Sequence, residues 1–356
     1  MRSVFVDKVA SVAQHNELGH ELRLSDDIPC EEGVLLAVKV LNNKTRYNQL
    51  ELTSGRMATV TQGDVIVGAL GHRKALLGYS GYLPSELAVG QIIQILNIGG
   101  VLGICDSANP DVGAPFDCEV LGTVLHFPYL GERIGVPARV GESTLDIEAQ
   151  LHPNGVPMIA LAGTCMDSGK TAASCAIISR LRHLGFNVAA CKATGVSLRR
   201  DILAMEDAGA TDTMIFSDLG IVTTTAENGP ALTRSLLTSL AARKPDVIVI
   251  ELGDGLLGAY GVEAILSDES IRDAFTGVVL CANDPVAAWG GVRILREQFD
   301  IEPTVVTGPA TDNAVGIGQI AERLNLPGIN ALTAGAALGD KIAELLPSTS
   351  RPEARL

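Results

Sequence analysis

"IALAGTCMDSGKTAAS", residues 159–174, passes from an apolar run through a small polar stretch into a segment with helical spacing. That order of strand, loop and helix is what a phosphate-binding turn requires. Successive backbone N–H groups and a helix N-terminus surround the phosphate oxygens, a lysine neutralises their charge and a hydroxyl reaches Mg²⁺. Gly169, Lys170 and Thr171 stand at those positions. The commonest motif has one residue fewer between its glycines than the five that Gly163 and Gly169 enclose here, and Thr164 takes the place of its first glycine.

Outward from this turn, residues 156 onward alternate apolar runs with helix-period segments. "PMIALAG", "NVAACKA", "TMIFSD", "DVIVIEL", "GVVLCAN" and "PTVVTG" read as strands, separated by helical spacing over 169–184, 198–208, 229–243, 284–298 and 312–324. Continuous apolar strands are buried on both faces, which implies a mostly parallel sheet flanked by helices. Ligands of such sheets bind at the carboxyl ends of the strands, so the residues just after each strand are the candidates for chemistry.

Residues 33–126 differ. Short runs rich in Val, Ile and Thr, such as "GVLLAVKVL", "DVIVGALG" and "CEVLGTVLHF", are broken by turn residues and predict a small barrel or sandwich. The Gly- and Pro-rich stretch after it reads as a connection. The expected organisation is a β-rich domain over 1–130, a linker over 131–155 and an α/β domain over 156–356.

Composition narrows the function classes. The chain has 356 residues, 47% of them hydrophobic, and its 27 basic against 41 acidic side chains give a net charge of −14. With no long basic cluster, this argues against nucleic acid and anionic membrane surfaces as partners. Mean hydropathy is +0.27, yet no run approaches the ~20 apolar residues that span a bilayer. The opening residues lack the apolar centre of a signal peptide, so the expected location is the cytoplasm. The seven Cys lack C-x-x-C spacing and read as reduced, buried thiols.

The turn Gly163-Thr164-Cys165-Met166-Asp167-Ser168-Gly169-Lys170-Thr171 resembles the signature G-T-D-x-x-x-G-K-[ST] of dethiobiotin synthetase and its amidoligase relatives, departing from it at Cys165, where that family has a metal-facing Asp. The likeness continues down the chain. "CKATG" resembles the family's K-P-x-x-[ST]-G and makes Lys192 the counterpart of a substrate-facing lysine. "RRDILAMEDAGA" places Asp201 like a metal-facing Asp, and "DVIVIELGDGLLG" resembles V-E-G-A-G-G, with Glu251 as the metal or substrate carboxylate. Over residues 156–330 the chain is also similar to the bacterial P-loop family that contains D-glutamate N-acetyltransferase.

The resemblance implies a P-loop NTPase-like sheet and a Mg²⁺- and ATP-dependent enzyme acting on a small carboxylate or amino acid. Gly163, Thr164, Asp167, Ser168, Gly169, Lys170 and Thr171 would bind phosphate, and Thr171, Glu251 and Asp201 would hold the metal. Lys170, Lys192 and Glu251 would carry the chemistry, in a homodimer or higher homo-oligomer. It equally implies an alternative, an N-acyltransferase whose loop holds the 3′,5′-ADP end of acetyl-CoA. A nucleotide-regulated binding protein is a third reading.

Other residues stay open at this level. Asp254 in "GDGLLG" could share the role of Glu251, and Asp201 could instead cap its helix. Arg199 and Arg200 are candidate anion clamps or a solvated pair. "SDLGIVTTT", with Asp218, is a substrate loop or a polar turn, and Asn283 in "CANDP" is a base-recognising residue or part of a helix start. "GHRKALLGYSGYLP", 71–84, is a mixed basic and aromatic patch to which sequence assigns no site.

Overall fold

The computed structural model describes residues 1–129, 131, 134–141 and 145–347. Residues 132, 133 and 142–144 of the expected linker, and 130 and 348–356 at the ends of the expected domains, lie outside the described residues. The chain forms two compact units. The first comprises Met1–Leu145 together with Val196–Arg200 and Phe216–Thr223, and the second comprises Asp146–Gly195, Asp201–Ile215 and Thr224–Leu356.

The first unit holds strands β1 (Arg2–Phe5), β2 (Lys8–Val9), β3 (Glu21–Ser25), β4 (Leu35–Val40), β5 (Gln49–Glu51), β6 (Met57–Thr59) and β7 (Val65–Leu70). They are followed by β8 (Arg73–Lys74), β9 (Tyr79–Tyr82), β10 (Ile92–Ile95), β11 (Val101–Ala108), β12 (Phe116–His126) and β13 (Val136–Pro137). β12 pairs with β4, β4 with β7, β7 with β11, β11 with β10, and β10 returns to β12. The ring is therefore closed. Of the two architectures that the β-rich pattern allowed, the chain adopts the barrel, and closure leaves these strands without open edges. Leu36, Val38, Ile66, Val67, Val101, Leu102 and Val120 fill its core. Gly68 is required where β7 passes the turn before β11, because a Cβ there would lie 2.3 Å from the Gly100 carbonyl oxygen.

The second unit is built on β14 (Met158–Gly163), β15 (Val188–Lys192), β16 (Asp212–Ile215), β17 (Val247–Glu251), β18 (Phe275–Cys281) and β19 (Val305–Thr307). The strand order is β16-β15-β17-β14-β18-β19, and every neighbouring pair is parallel. "MIALAG" and "VIVIE" are buried at every residue, as their unbroken apolar character predicts. Helices α1 (Lys170–His183), α2 (Arg200–Asp207), α3 (Gly229–Ala241), α4 (Val262–Ser267), α5 (Glu269–Arg272), α6 (Pro285–Phe299), α7 (Ala314–Leu324) and α8 (Gly335–Ala343) accompany these strands along the chain. Ile177, Ile178 and Leu181 of α1 share a core with Leu338 and Ile342 of α8 and with Val188, Val249 and Val279 of the strands.

This is a P-loop type α/β fold, with β14 leading through the glycine loop into α1. The register fixes the site. Lys192 lies beside Glu251, and Glu251 beside Leu161, so the ends of β15, β17 and β14 form one row just below the loop. Among the described residues no helix is long and apolar enough to cross a membrane.

Candidate functional site

Residues 164–169 turn the chain from β14 into α1 by two left-handed steps, Asp167 at φ 56° and Gly169 at φ 89°. Gly169 is the N-cap of α1, which has neither a side-chain cap nor an acid in its first turn. Its N-terminal N–H groups and the positive end of the helix dipole are thus left to an anion. Ser168 is fully buried, while Asp167 is exposed at the tip.

Lys170 folds back beneath this turn and is only 6% exposed. Its ammonium donates to the Cys165 carbonyl at 2.9 Å, to Ser168 Oγ at 3.3 Å and to the Asp254 carbonyl. Gly163 makes room for it, since a Cβ there would stand 2.4 Å from Ser168 Oγ and 2.6 Å from Lys170 Nζ. The first glycine of the loop therefore seats the lysine.

Thr171 Oγ1 donates to Glu251 Oε1 at 3.3 Å. Glu251 is 2% exposed, and its second oxygen, Oε2, is buried with no hydrogen-bond partner among the described residues. Burial holds this carboxyl above the usual carboxylate range, opposed by the charge of Lys192. A hydroxyl and a buried carboxylate with one orphaned oxygen form a hard-oxygen donor pair that fits Mg²⁺, which takes one or two protein ligands and completes its shell with water and phosphate. Thr171 and Glu251 are the residues that would hold it.

Lys192, at the end of β15, pairs with Asp201 Oδ2 and lies 3.9 Å from Glu251 Oε1. Asp201 lies in the first turn of α2, and its carboxylate is turned to this ammonium. Lys192 thus stands between the two carboxylates that the resemblance assigns to a metal. Among the described residues no group of three or more His, Cys, Asp or Glu side chains gathers to hold a cation. Asp254 is buried, at φ 66°, after β17.

Thr164 donates its hydroxyl proton to Asn283 Oδ1 at 3.3 Å, so the second residue after β18 meets the first residue of the turn. Asp284, its neighbour, caps α6 through Val286 and Ala287 N–H groups, with Pro285 at the helix start. Cys165 turns its thiol to the Met166 carbonyl. Burial pushes this thiol upward despite nearby Lys170, so the position offers a neutral S–H where the resembling family has a carboxylate.

Three glycines outside the motif complete the site. A Cβ at Gly253 would lie 2.2 Å from the Thr194 carbonyl oxygen, one at Gly255 2.8 Å from Thr164 O, and one at Gly308 2.3 Å from Ser168 O. Gly255 and Gly308 let the segments after β17 and β19 close on the turn, and Gly253 lets the segment after β17 pass the one after β15. Their contacts depend on strand order, which no local pattern encodes.

Other candidates belong to the first unit. Arg199 belongs to the first unit, where its backbone N–H donates to Glu51 and its guanidinium to the Thr53 carbonyl. Arg200 is exposed. Asp218 also belongs to the first unit and pairs with His15 at 2.9 Å.

No family model matches the chain, and no curated protein is significantly similar to it. Among solved structures, the signal recognition particle receptor FtsY from Elizabethkingia anophelis is similar with a TM-score of 0.40 and 14% identity, covering 52% of this chain and 64% of that one. A DUF1611 family protein from Anabaena variabilis is similar with a TM-score of 0.42 and 14% identity, covering 57% of this chain and 62% of that one. The hydrogenase maturation factor HypB from Archaeoglobus fulgidus is similar with a TM-score of 0.37 and 14% identity, covering 54% of this chain and 91% of that one. The chain thus spans less than two thirds of the FtsY and DUF1611 structures.

Proposed function

We propose that this chain is a nucleotide-dependent enzyme that activates a small carboxylate or amino acid by phosphoryl transfer, with Mg²⁺ and ATP or GTP. The observation that carries this reading is the convergence of Lys170, Thr171 and Glu251, a buried ammonium, a hydroxyl and an orphaned carboxylate oxygen, at the open N-terminus of α1. Such a set is what a Mg²⁺-bound polyphosphate needs, and an unliganded structural role leaves Glu251 Oε2 unexplained. When bound, the metal supplies charge neutralisation on the phosphate oxygens.

The residues of the chain divide the remaining work. Lys170 and the N–H groups at the start of α1 stabilise charge on the transferring phosphoryl group. Lys192, held at the sheet edge by Asp201 and Glu251, orients the carboxylate of the acid substrate. One carboxylate oxygen attacks the terminal phosphorus, the bond to the nucleoside diphosphate breaks, and an acyl phosphate results for a nucleophile to consume. This is the reaction class of the amidoligases that the loop and the "CKATG" segment resemble.

A second reading, acyl transfer from acetyl-CoA to an amino acid, is favoured by the neutral Cys165 thiol, which removes one metal-facing carboxylate from the loop. Calorimetric titration with ATP, GTP and acetyl-CoA, each with and without Mg²⁺, separates the two. Binding of a triphosphate that needs both Mg²⁺ and Lys170 is the expected result. Preference for acetyl-CoA without regard to Mg²⁺ overturns the phosphoryl-transfer reading.

A further inference from the structure

The charges around Glu251 balance one another within the chain. Lys192 and Glu251 are opposite residues at the ends of the parallel strands β15 and β17, so their side chains leave the same face of the sheet. The Lys192 ammonium bonds to Asp201 Oδ2 and stops 3.9 Å from Glu251 Oε1. Oε1 also accepts from Thr171, and Oε2 has no hydrogen-bond partner among the described residues. After burial, the charges that bear on Glu251 are those of Lys192, Asp201 and Lys170. Together with Glu251 they make two ammoniums and two carboxylates. Burial first, and then Glu251, Asp201 and Asp207, push the thiol of Cys175 on α1 up to about 11, so this neighbour is neutral and adds no charge.

A balanced cluster is a poor seat for a dication. Glu251 and Thr171 offer the hard oxygens that Mg²⁺ takes, but an ion beside them meets two ammoniums at a buried site, where like charges repel far more strongly than in water. Only one of these lysines is placed to give way. Lys170 is fixed beneath the turn by the Cys165 carbonyl, Ser168 Oγ and the Asp254 carbonyl. Lys192 is held to Asp201 and stands farther from Glu251 than the ~2.7–2.9 Å of a charge-assisted hydrogen bond. Its four-carbon stem lets the ammonium swing without moving the strand. A triphosphate changes the balance, because its oxygens bring negative charge for both a metal ion and the lysine. Lys192 can then exchange Glu251 for a phosphate or substrate oxygen and keep Asp201.

We infer that Lys192 is the specificity-determining residue that bars free divalent cations from Glu251 and admits them only together with a triphosphate. Its ammonium is the internal counter-ion of Glu251 until the anions of the triphosphate release it towards the carboxylate of the acid substrate. Asp201 is the positioning residue that keeps the lysine at the sheet edge in both states, a role different from the metal ligand that the resemblance implies. The identity of the releasing anion rests on the phosphoryl-transfer reading given above, whereas the charge barrier at Glu251 stands on the residues alone.

Mn²⁺ is the probe for the metal alone, titrated into full-length protein without nucleotide and followed by electron paramagnetic resonance. Lys192→Met, which keeps the length and loses the charge, is expected to bind Mn²⁺ about tenfold more tightly than the unsubstituted protein, and Lys192→Arg to bind it as weakly as the unsubstituted protein. A lysine that merely shapes the sheet edge gives the opposite result, since its loss then loosens the site. If Lys192→Met fails to fold, the double variant with Asp201→Asn, which removes one acid along with the lysine, carries the same expectation. The same titrations with the β,γ-imido analogues of ATP and GTP give the factor by which a triphosphate tightens Mn²⁺, and this coupling should fall about fivefold or more in Lys192→Met. Mn²⁺ affinity that is unchanged or weaker in Lys192→Met overturns the inference, as does equal tightening by Lys192→Arg. Failure of the phosphoryl-transfer reading looks different. Neither analogue then couples to Mn²⁺ in any of the proteins, while the titrations with metal alone still decide the role of Lys192.

Discussion

Thr171 and Glu251 are joined by a 3.3 Å hydrogen bond from the threonine hydroxyl to Oε1, which ties the second residue of α1 to the last residue of β17. The bond exists because β17 lies next to β14, the strand that feeds the loop. It leaves Oε2 buried and without a hydrogen-bond partner among the described residues, and the proposed Mg²⁺ site rests on this pair.

Replacing this hydroxyl by a methyl tests the pairing. Thr171→Val keeps the shape of the side chain and is expected to weaken Mg²⁺-dependent triphosphate binding by about tenfold, or ~1.4 kcal/mol. Thr171→Ser should restore it. Titration without Mg²⁺ is the control, because a loss of equal size there would mean that the hydroxyl shapes the loop and has no part in holding the metal.

Lys192 has a separate, electrostatic role. Its side chain is 10% exposed, between Asp201 at 18% and Glu251 at 2%. Lys192→Met leaves two carboxylates close together without their cation, and breaking a buried pair in this way costs about 3–5 kcal/mol. Urea denaturation of Lys192→Met, Asp201→Asn and the double variant should reveal coupling, with the double variant more stable than the sum of single losses allows. Strict additivity would mean that the pair is not a unit.

Much of this arrangement was legible before any coordinates. The unbroken apolar strands gave the parallel sheet, because burial on both faces removes polar alternation, and "GTCMDSGKT" gave the loop. The turn "NDP" read as a helix start, and Asp284 caps α6 as that reading requires. The helix α8 was not anticipated. "GAALGDKIA" is short and rich in Gly and Ala, and its burial against Ile177 and Leu181 depends on a contact far away in sequence. The placement of Asn283 beside Thr164 follows from the parallel pairing of β14 and β18, which no local pattern encodes. For the same reason Arg199 and Asp218 stayed open in the sequence, and that their segments join the first unit was not legible there.

Burial makes Glu251 a source of instability at neutral pH. Its carboxyl is held above the ordinary range first by desolvation, with Lys192 opposing. The folded state therefore binds this proton more tightly than the unfolded chain. The contribution to stability is present below the unfolded carboxyl's pKa and is lost as pH rises through the folded one. Glu251→Gln removes the charge while Asp201 remains on Lys192, so the variant should melt higher at pH 7.5, by about 2–4 °C for each kcal/mol gained. The difference should shrink as pH falls and the wild-type carboxyl takes up its proton. A gap that widens towards acid pH would contradict the assignment. Metal-dependent triphosphate binding should fall in the same variant.

Two glycines of the site should both lose affinity on the same added methyl but differ in stability. At Gly163 the new Cβ meets the ends of side chains, Ser168 Oγ at 2.4 Å and Lys170 Nζ at 2.6 Å. A lysine end can move, so Gly163→Ala should keep most of the stability and lose triphosphate affinity, because Lys170 is pushed from its seat. At Gly308 the Cβ meets the Ser168 carbonyl at 2.3 Å with φ at 88°, and backbone can give way only by shifting the loop. Left-handed backbone adds roughly 1 kcal/mol or more for a residue with a side chain. Gly308→Ala should therefore lower the melting temperature as well as the affinity. Thermal denaturation and calorimetry on both variants check the contrast. An unchanged affinity in a stable Gly163→Ala protein would show that the position of Lys170 beneath the turn is not the one used for binding.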